Sequence, residues 1–145
     1  MNRKQVTKFL DSIMPGIVFT YKLVDSKACG DSPAAVDSDC EIWINTDLFF
    51  TQYSDIEQRG ILLHEVGHIL IGDFKSKSDM EYYAQLMAIC IAKANGWRKL
   101  FKELDKTITE WVDYKWKENH SEYRRYITAG KKYANGKRNG ILAKL

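Results

Sequence analysis

A chain of 145 residues with 45% hydrophobic and 28% charged residues has the composition of one globular domain that can bury its own core. Three cysteines without a C-x-x-C pair exclude a disulfide scaffold and a four-cysteine zinc knot; they read as reduced thiols, with Cys29–Cys40 the one bridge left open. The net charge of +3 hides an asymmetry, because seven basic residues and one acid (Glu122) from Ser121 onward give +6 and leave −3 on the preceding 120 residues.

Residues 2–13 place Val6, Phe9, Leu10 and Ile13 at three- and four-residue spacing, the pattern of a short amphipathic helix that Pro15-Gly16 ends. Asp11, Ser12, Pro15 and Gly16 interrupt residues 9–19, so no secretory apolar region forms there. No run approaches the roughly 18 apolar residues that cross a bilayer. The expectation is a cytoplasmic protein with no membrane partner. Residues 17–24 are β-branched and aromatic and predict a strand, and residues 25–39, rich in Asp, Ser, Gly and Pro, predict a loop. A second strand is predicted at 40–45, with Ile42 and Ile44 on one face and Glu41, Trp43 and Asn45 on the other.

The remainder reads as helical. Ser54-Asp55-Ile56-Glu57 is a capping box opening a helix to about Ile71, with Gly72-Asp73 as its stop. A second helix runs from near Ser78 to Asn95-Gly96, and a third spans 97–118 with Leu100, Leu104, Ile108, Trp111 and Val112 as its stripe. A fourth begins near Ser121 and carries Tyr123, Tyr126 and Ile127. The domain expectation is a single unit over 1–134 and a basic, flexible tail over 135–145.

The chemistry concentrates in His64-Glu65-Val66-Gly67-His68. Histidines four apart on a helix stand one turn apart on one face and can grip one Zn²⁺. Glu65, beside the first histidine, can reach a water on that ion, whose pKa zinc lowers toward neutrality. Three fixed positions in five match by chance in on the order of one chain in a hundred or fewer. The flanking residues are core-like, and burying His, Glu and His unpaired would cost several kcal/mol. A solvent-facing polar stripe that happens to carry the pattern is the alternative. Gly67, lacking a side chain, lets a neighbouring element pack closely.

A catalytic zinc needs a third protein ligand. Asp73 is one choice, but in the pattern HExxHxxGxxH/D the glycine and last ligand fall on Ile71 and Phe74, so Gly72 and Asp73 miss the register. Glu81 is the other, sharing a helix face with Ala84, Gln85 and Ala88 that would let its helix lie close to the first. Against it, Ser78-Asp79-Met80-Glu81 is itself a capping-box pattern that would turn the carboxylate toward its own backbone.

HEVGH together with Glu81-x-x-Ala84-Gln85 resembles the gluzincin metallopeptidases, with their His-Glu-x-x-His helix and Glu-x-x-Ala-Asp helix. The resemblance covers residues 40–96 and is closest in layout to minimal members, the ImmA/IrrE-like, phage-encoded and SprT-like proteins. It implies a small α+β, zincin-like domain with a two- or three-stranded sheet packed on the HExxH helix and a helical C-terminal half. It further implies one Zn²⁺ held by His64, His68 and Glu81, Glu65 as catalytic base, and a protein or peptide substrate. Gln85 stands where the family has Asp, the residue that orients a ligand histidine. The family also implies that an edge strand beside the helix, here 42–45, can add the substrate as a further strand; a simple core strand is the alternative reading of the same residues. For a donor to the developing oxyanion, the choices are His120, Tyr82, Tyr83 and Tyr114, with His120 the one unused histidine.

The basic C-terminal end interleaves Arg124, Arg125, Lys131, Lys132, Lys137 and Arg138 with Tyr123, Tyr126 and Tyr133, a mixture able to bind nucleic acid. Three functions therefore stand: a zinc peptidase, a regulatory or DNA-associated binding protein on a zincin scaffold with little turnover, and a helical structural protein with a chance motif.

Overall fold

Asn2 starts the first helix by reciprocal capping: its side-chain oxygen accepts from the Gln5 N–H at 2.9 Å and its own N–H donates to Gln5 Oε1 at 2.8 Å. Helix α1 (Arg3–Ile13) buries Val6, Phe9, Leu10 and Ile13, the four residues whose spacing predicts it. The computed structural model describes residues 1–72 and 77–116.

Strand β1 (Tyr21–Val24) is shorter than the expected 17–24. Its parallel partner β3 (Ile42–Asn45) starts at Ile42, opposite Tyr21, and the chain before Ile42 turns away into a hairpin, so residues 17–19 have no ladder to join. The stretch 25–39, expected to be loop, contains two elements. Asp25 caps the short helix α2 (Ser26–Cys29) by accepting from the Lys27 N–H at 3.0 Å, and Gly30 ends it at φ +62°. Strand β2 (Ala34–Val36) follows and pairs antiparallel with β3. Three residues with no alternation carry no strand signature of their own; β3 makes them a strand by pairing.

The sheet order is β1-β3-β2, mixed and three-stranded. This corrects the edge-strand expectation for 42–45: β3 is the central strand, and β2 is the edge nearer the helices. Ile42 and Ile44 face the core with no exposure. Asn45, expected on the opposite face, is also fully buried. Its amide donates to Ser26 Oγ and to the Gly30 and Ser32 carbonyls at 3.1–3.2 Å, while its oxygen accepts from the Asp47 N–H at 3.0 Å. One buried amide thus ties down the loop that delivers β2.

After the short helix α3 (Phe49–Gln52), Ser54 and Glu57 form the expected capping box of α4 (Asp55–Ile71), which ends at Gly72 with φ +70°. Gln58, buried on α4, donates to the Phe49 and Tyr53 carbonyls at 3.1 and 3.0 Å and fixes the approach to this helix. Helix α5 (Lys77–Ala94) begins one residue before Ser78, which therefore lies inside the first turn rather than at the cap. Helix α6 (Arg98–Trp116) follows the turn at Gly96. The described residues form an α+β fold with one core reaching from Val6 through Leu62, Leu63, Val66 and Ile91 to Leu104. None of their helices is long and apolar enough to cross a membrane. All three cysteines are free, so Cys29–Cys40 is not formed. The helix expected from Ser121 and the tail from 135 lie outside the described residues.

Helices α4 and α5 meet where neither has a bulky side chain. A Cβ built on Gly67 would collide with the Ala84 carbonyl oxygen and lie 2.9 and 3.0 Å from the Ala84 carbonyl carbon and Cα. Ala84 and Ala88 are both fully buried at this contact-bearing helix. Gly67→Ala should therefore destabilise the fold by about 1–3 kcal/mol through overpacking, although alanine favours a helix by about 1 kcal/mol over glycine. Urea denaturation checks this, and an unchanged or higher midpoint would contradict the packing account.

Candidate metal centre

Helix α4 has two working faces. Leu62, Leu63 and Val66 point into the core, while Gly60, His64 and His68 line a cleft of about 870 Å³ together with Glu57, Ile61, Glu65 and Ile69. The opposite wall is the β2 edge, from Ser32 to Ser38, and α5 and α6 close the remaining side with Glu81, Gln85, Glu103, Leu104 and Thr107.

The close α4–α5 approach brings Glu81 onto both histidines. Glu81 Oε2 lies 3.0 Å from His64 Nε2, Oε1 lies 3.2 Å from His68 Nε2, and the two Nε2 atoms are 3.1 Å apart. The Glu81 carboxylate is thus engaged by both histidines. Among the described residues, His64, His68 and Glu81 are the one group of three or more His, Cys, Asp or Glu whose ligating atoms converge within metal-binding distance.

Gln85 fixes the orientation of His64. It is 4% exposed, and its Nε2 donates to the Leu104 carbonyl of α6 at 3.2 Å. That bond turns its Oε1 toward His64 Nδ1, 2.7 Å away, so Nδ1 carries the hydrogen and donates. In the neutral ring the Nε2 lone pair then points at Glu81 and His68. A His68 Nε2–H can serve one of these contacts at 3.0–3.2 Å, and a positive charge among the three groups favours them all. A proton can supply it: burial works against the His64 imidazolium, but the Glu81 hydrogen bond, the Glu65 charge and Gln85 together hold its pKa above 6.5. The same contacts with His64 and His68 hold Glu81 far below the usual carboxylate range.

A metal ion also fits. Ligands about 2.0–2.2 Å from a tetrahedral ion stand about 3.3–3.6 Å apart, a few tenths wider than the separations here. Two imidazoles and one carboxylate are the donor set of a three-ligand catalytic zinc site. Glu65 stands beside this group, 8% exposed, with no hydrogen bond to a described residue. Burial raises its pKa, against the pull of the two histidines.

The other residues singled out in the sequence divide. Tyr82 and Tyr83 pack into or against the core and do not line the cleft. Asp73, His120 and the side chain of Tyr114 lie outside what the structure describes. Tyr53, which the sequence reading does not single out, lines the cleft from the turn before α4 and carries a phenolic donor. No protein-family model, curated protein or solved structure matches this chain.

Two measurements follow from the geometry. Gln85→Ala removes both the Nδ1 acceptor and the α6 tie, and should weaken metal binding about 10–100-fold while leaving the three ligating residues in place. Competition with a chromophoric chelator reads the change, and equal affinities would show that Gln85 does not orient His64. The second is a pH scan of chelator-treated protein. The raised His64 pKa stabilises the metal-free fold below pH 6.5 and is lost as pH rises through the folded value; the lowered Glu81 pKa stabilises it above pH 4.5. The metal-free melting temperature should therefore fall from about pH 6 to pH 8.5, and the increment from added zinc should grow across the same interval. A zinc increment independent of pH would contradict competition between proton and ion.

Proposed function

We propose that the protein is a zinc-dependent metallopeptidase of gluzincin type, with His64, His68 and Glu81 as the ligands. The observation that carries this reading is the convergence of those three side chains beside a buried carboxylate, Glu65, at the floor of an open cleft. A bound zinc would polarise a substrate carbonyl and lower the pKa of water. Gln85 holds His64 with Nε2 turned toward Glu81 and His68, where the ion would sit. Glu65 accepts the proton of the attacking water and passes it to the leaving amine; its burial, which raises its pKa, suits a group that must both take and give a proton near neutrality.

The β2 edge gives a peptide somewhere to lie. Pro33 pairs with Asn45 and Asp37 with Glu41 through hydrogen bonds, so the intervening Ala34 and Val36 direct their N–H and C=O groups away from β3. An extended substrate paired there would run between β2 and α4, with its carbonyls beside the histidines. Tyr53 is the oxyanion donor that the cleft lining offers.

Glu65→Gln is the deciding variant. It should retain metal at wild-type stoichiometry and lower peptide cleavage by about 10²–10⁴-fold, read by mass spectrometry of a digested protein mixture against elemental analysis of the same preparation. Cleavage that survives the substitution would sink the mechanism, and purified protein carrying no metal even after zinc addition would sink the site.

A further inference from the structure

The charge on the cleft walls is one-sided. Among the described residues that line it, Asp37, Glu57, Glu65, Glu81 and Glu103 are acidic and none is Lys or Arg. These five are not equivalent. Asp37 accepts from the Asp39 and Glu41 N–H groups and from Trp43 Nε1 at 2.9–3.0 Å, which commits it to the β2–β3 turn. Glu57 accepts from the Ser54 N–H at 3.0 Å as part of the α4 cap. Glu81 belongs to the metal centre and Glu65 to the water beside it. Glu103 makes no side-chain hydrogen bond or ion pair with a described residue and is half-buried in the α6 wall.

Its position is set by the packing of α6. Leu104 lies over Gly60, where an added Cβ would be 3.4 Å from Leu104 Cδ2, and the Leu104 carbonyl receives the Gln85 amide that holds His64. Gly60 is one helical turn before His64, about 5–6 Å along α4, and Glu103, next to Leu104 in the chain, lines the same cleft as the histidines. At about 3.3 Å per residue of an extended chain, one turn of α4 corresponds to one or two residues of a bound peptide. A second feature points independently to an occupant: Glu65, more than nine-tenths buried, faces the same cleft with no hydrogen-bonding partner among the described residues. With a divalent ion compensating Glu65 and Glu81, and Asp37 and Glu57 held by their turn and cap, Glu103 is the wall carboxylate left without a partner among the described residues.

We infer that the cleft selects its ligand by a cationic side chain, Lys or Arg, received by Glu103, so that the protein binds and cuts polypeptide next to basic residues. The selection rests on the peptidase reading for the cut but not for the binding. A basic side chain entering here meets a partly desolvated carboxylate that has no competing partner among the described residues, whereas an acidic one meets like charge on both walls. Arg gains more than Lys if both Glu103 oxygens are reached, through paired N–H donors.

The test uses the full chain loaded with zinc. Cleavage sites in a denatured protein mixture should place Lys or Arg within two residues of the cut several-fold above its background frequency, always on the same side. Glu103→Gln should lower kcat/KM for a basic peptide about tenfold, and Glu103→Lys should move the preference to Asp or Glu. Sites without basic enrichment, or enrichment unchanged in both variants, would overturn the inference. A binding arm separates this outcome from failure of the peptidase reading. In the zinc-loaded Glu65→Gln protein, fluorescence anisotropy should show a lysine-containing alanine-rich peptide binding at least tenfold tighter than its glutamate-containing twin. Glu103→Lys should erase that difference. Equal affinity for the two peptides would reject the selection even if cleavage is observed, and a charge-dependent difference without any cleavage would keep it while rejecting the peptidase.

Discussion

The meeting of α4 and α5 at Gly67 and Ala84 is the constraint on which the site depends. A side chain at Gly67 would enter the Ala84 backbone, so its absence lets the axes come close enough for a glutamate one turn before Ala84 to reach two histidines on α4. Neither helix needs an unusual backbone to achieve this. The requirement is met by composition alone: a glycine on one surface, two buried alanines on the other, and polar residues only where the two faces diverge toward the cleft.

That closeness has an electrostatic consequence. His64, His68 and Glu81 are held at 3.0–3.2 Å by packing forces that do not depend on their charge state. Positive charge at its centre favours all of these contacts, and the fold fixes the place of that charge before any ion arrives. The preference for a proton in the metal-free protein and the proposed affinity for zinc therefore have one origin. They compete for one nitrogen lone pair, which the Gln85 amide leaves exposed on Nε2.

The helices and the α4 motif were legible in the sequence because their signals are local. The Val6–Ile13 spacing, the Ser54 capping box and the glycine stops each depend on neighbours within a turn. The pairing of Glu81 with the histidines was legible from the small-residue face it shares with Ala84 and Ala88, and Ser78, the competing cap, lies within α5. What was not legible is non-local. Strand β2 exists only through its pairing with β3, so a stretch of Ser, Pro and Ala concealed the edge strand and made the central strand look like the edge. The burial of Asn45 follows from two loop carbonyls and the Ser26 hydroxyl that fold back over it. Tyr53 and Glu103 have no local pattern at all, and their place in the cleft comes from how α6 and the α3–α4 turn dock.

Gln85 occupies a position where a carboxylate could also accept from His64, and the difference lies in its second end. A carboxylate is symmetric and carries no donor, so it could hold the imidazole but could not also bond the Leu104 carbonyl. The amide is polarised, one end for α4 and the other for α6. The histidine and the third helix are thereby joined in a single mechanical linkage. Local opening of α6 would release the amide and free the ring to rotate, and any ion that fixes the ring would in turn resist that opening. A helix that contributes none of the three converging side chains thus shares in the stability of their arrangement, and the rigidity of the cleft floor is borrowed in part from the wall that faces it.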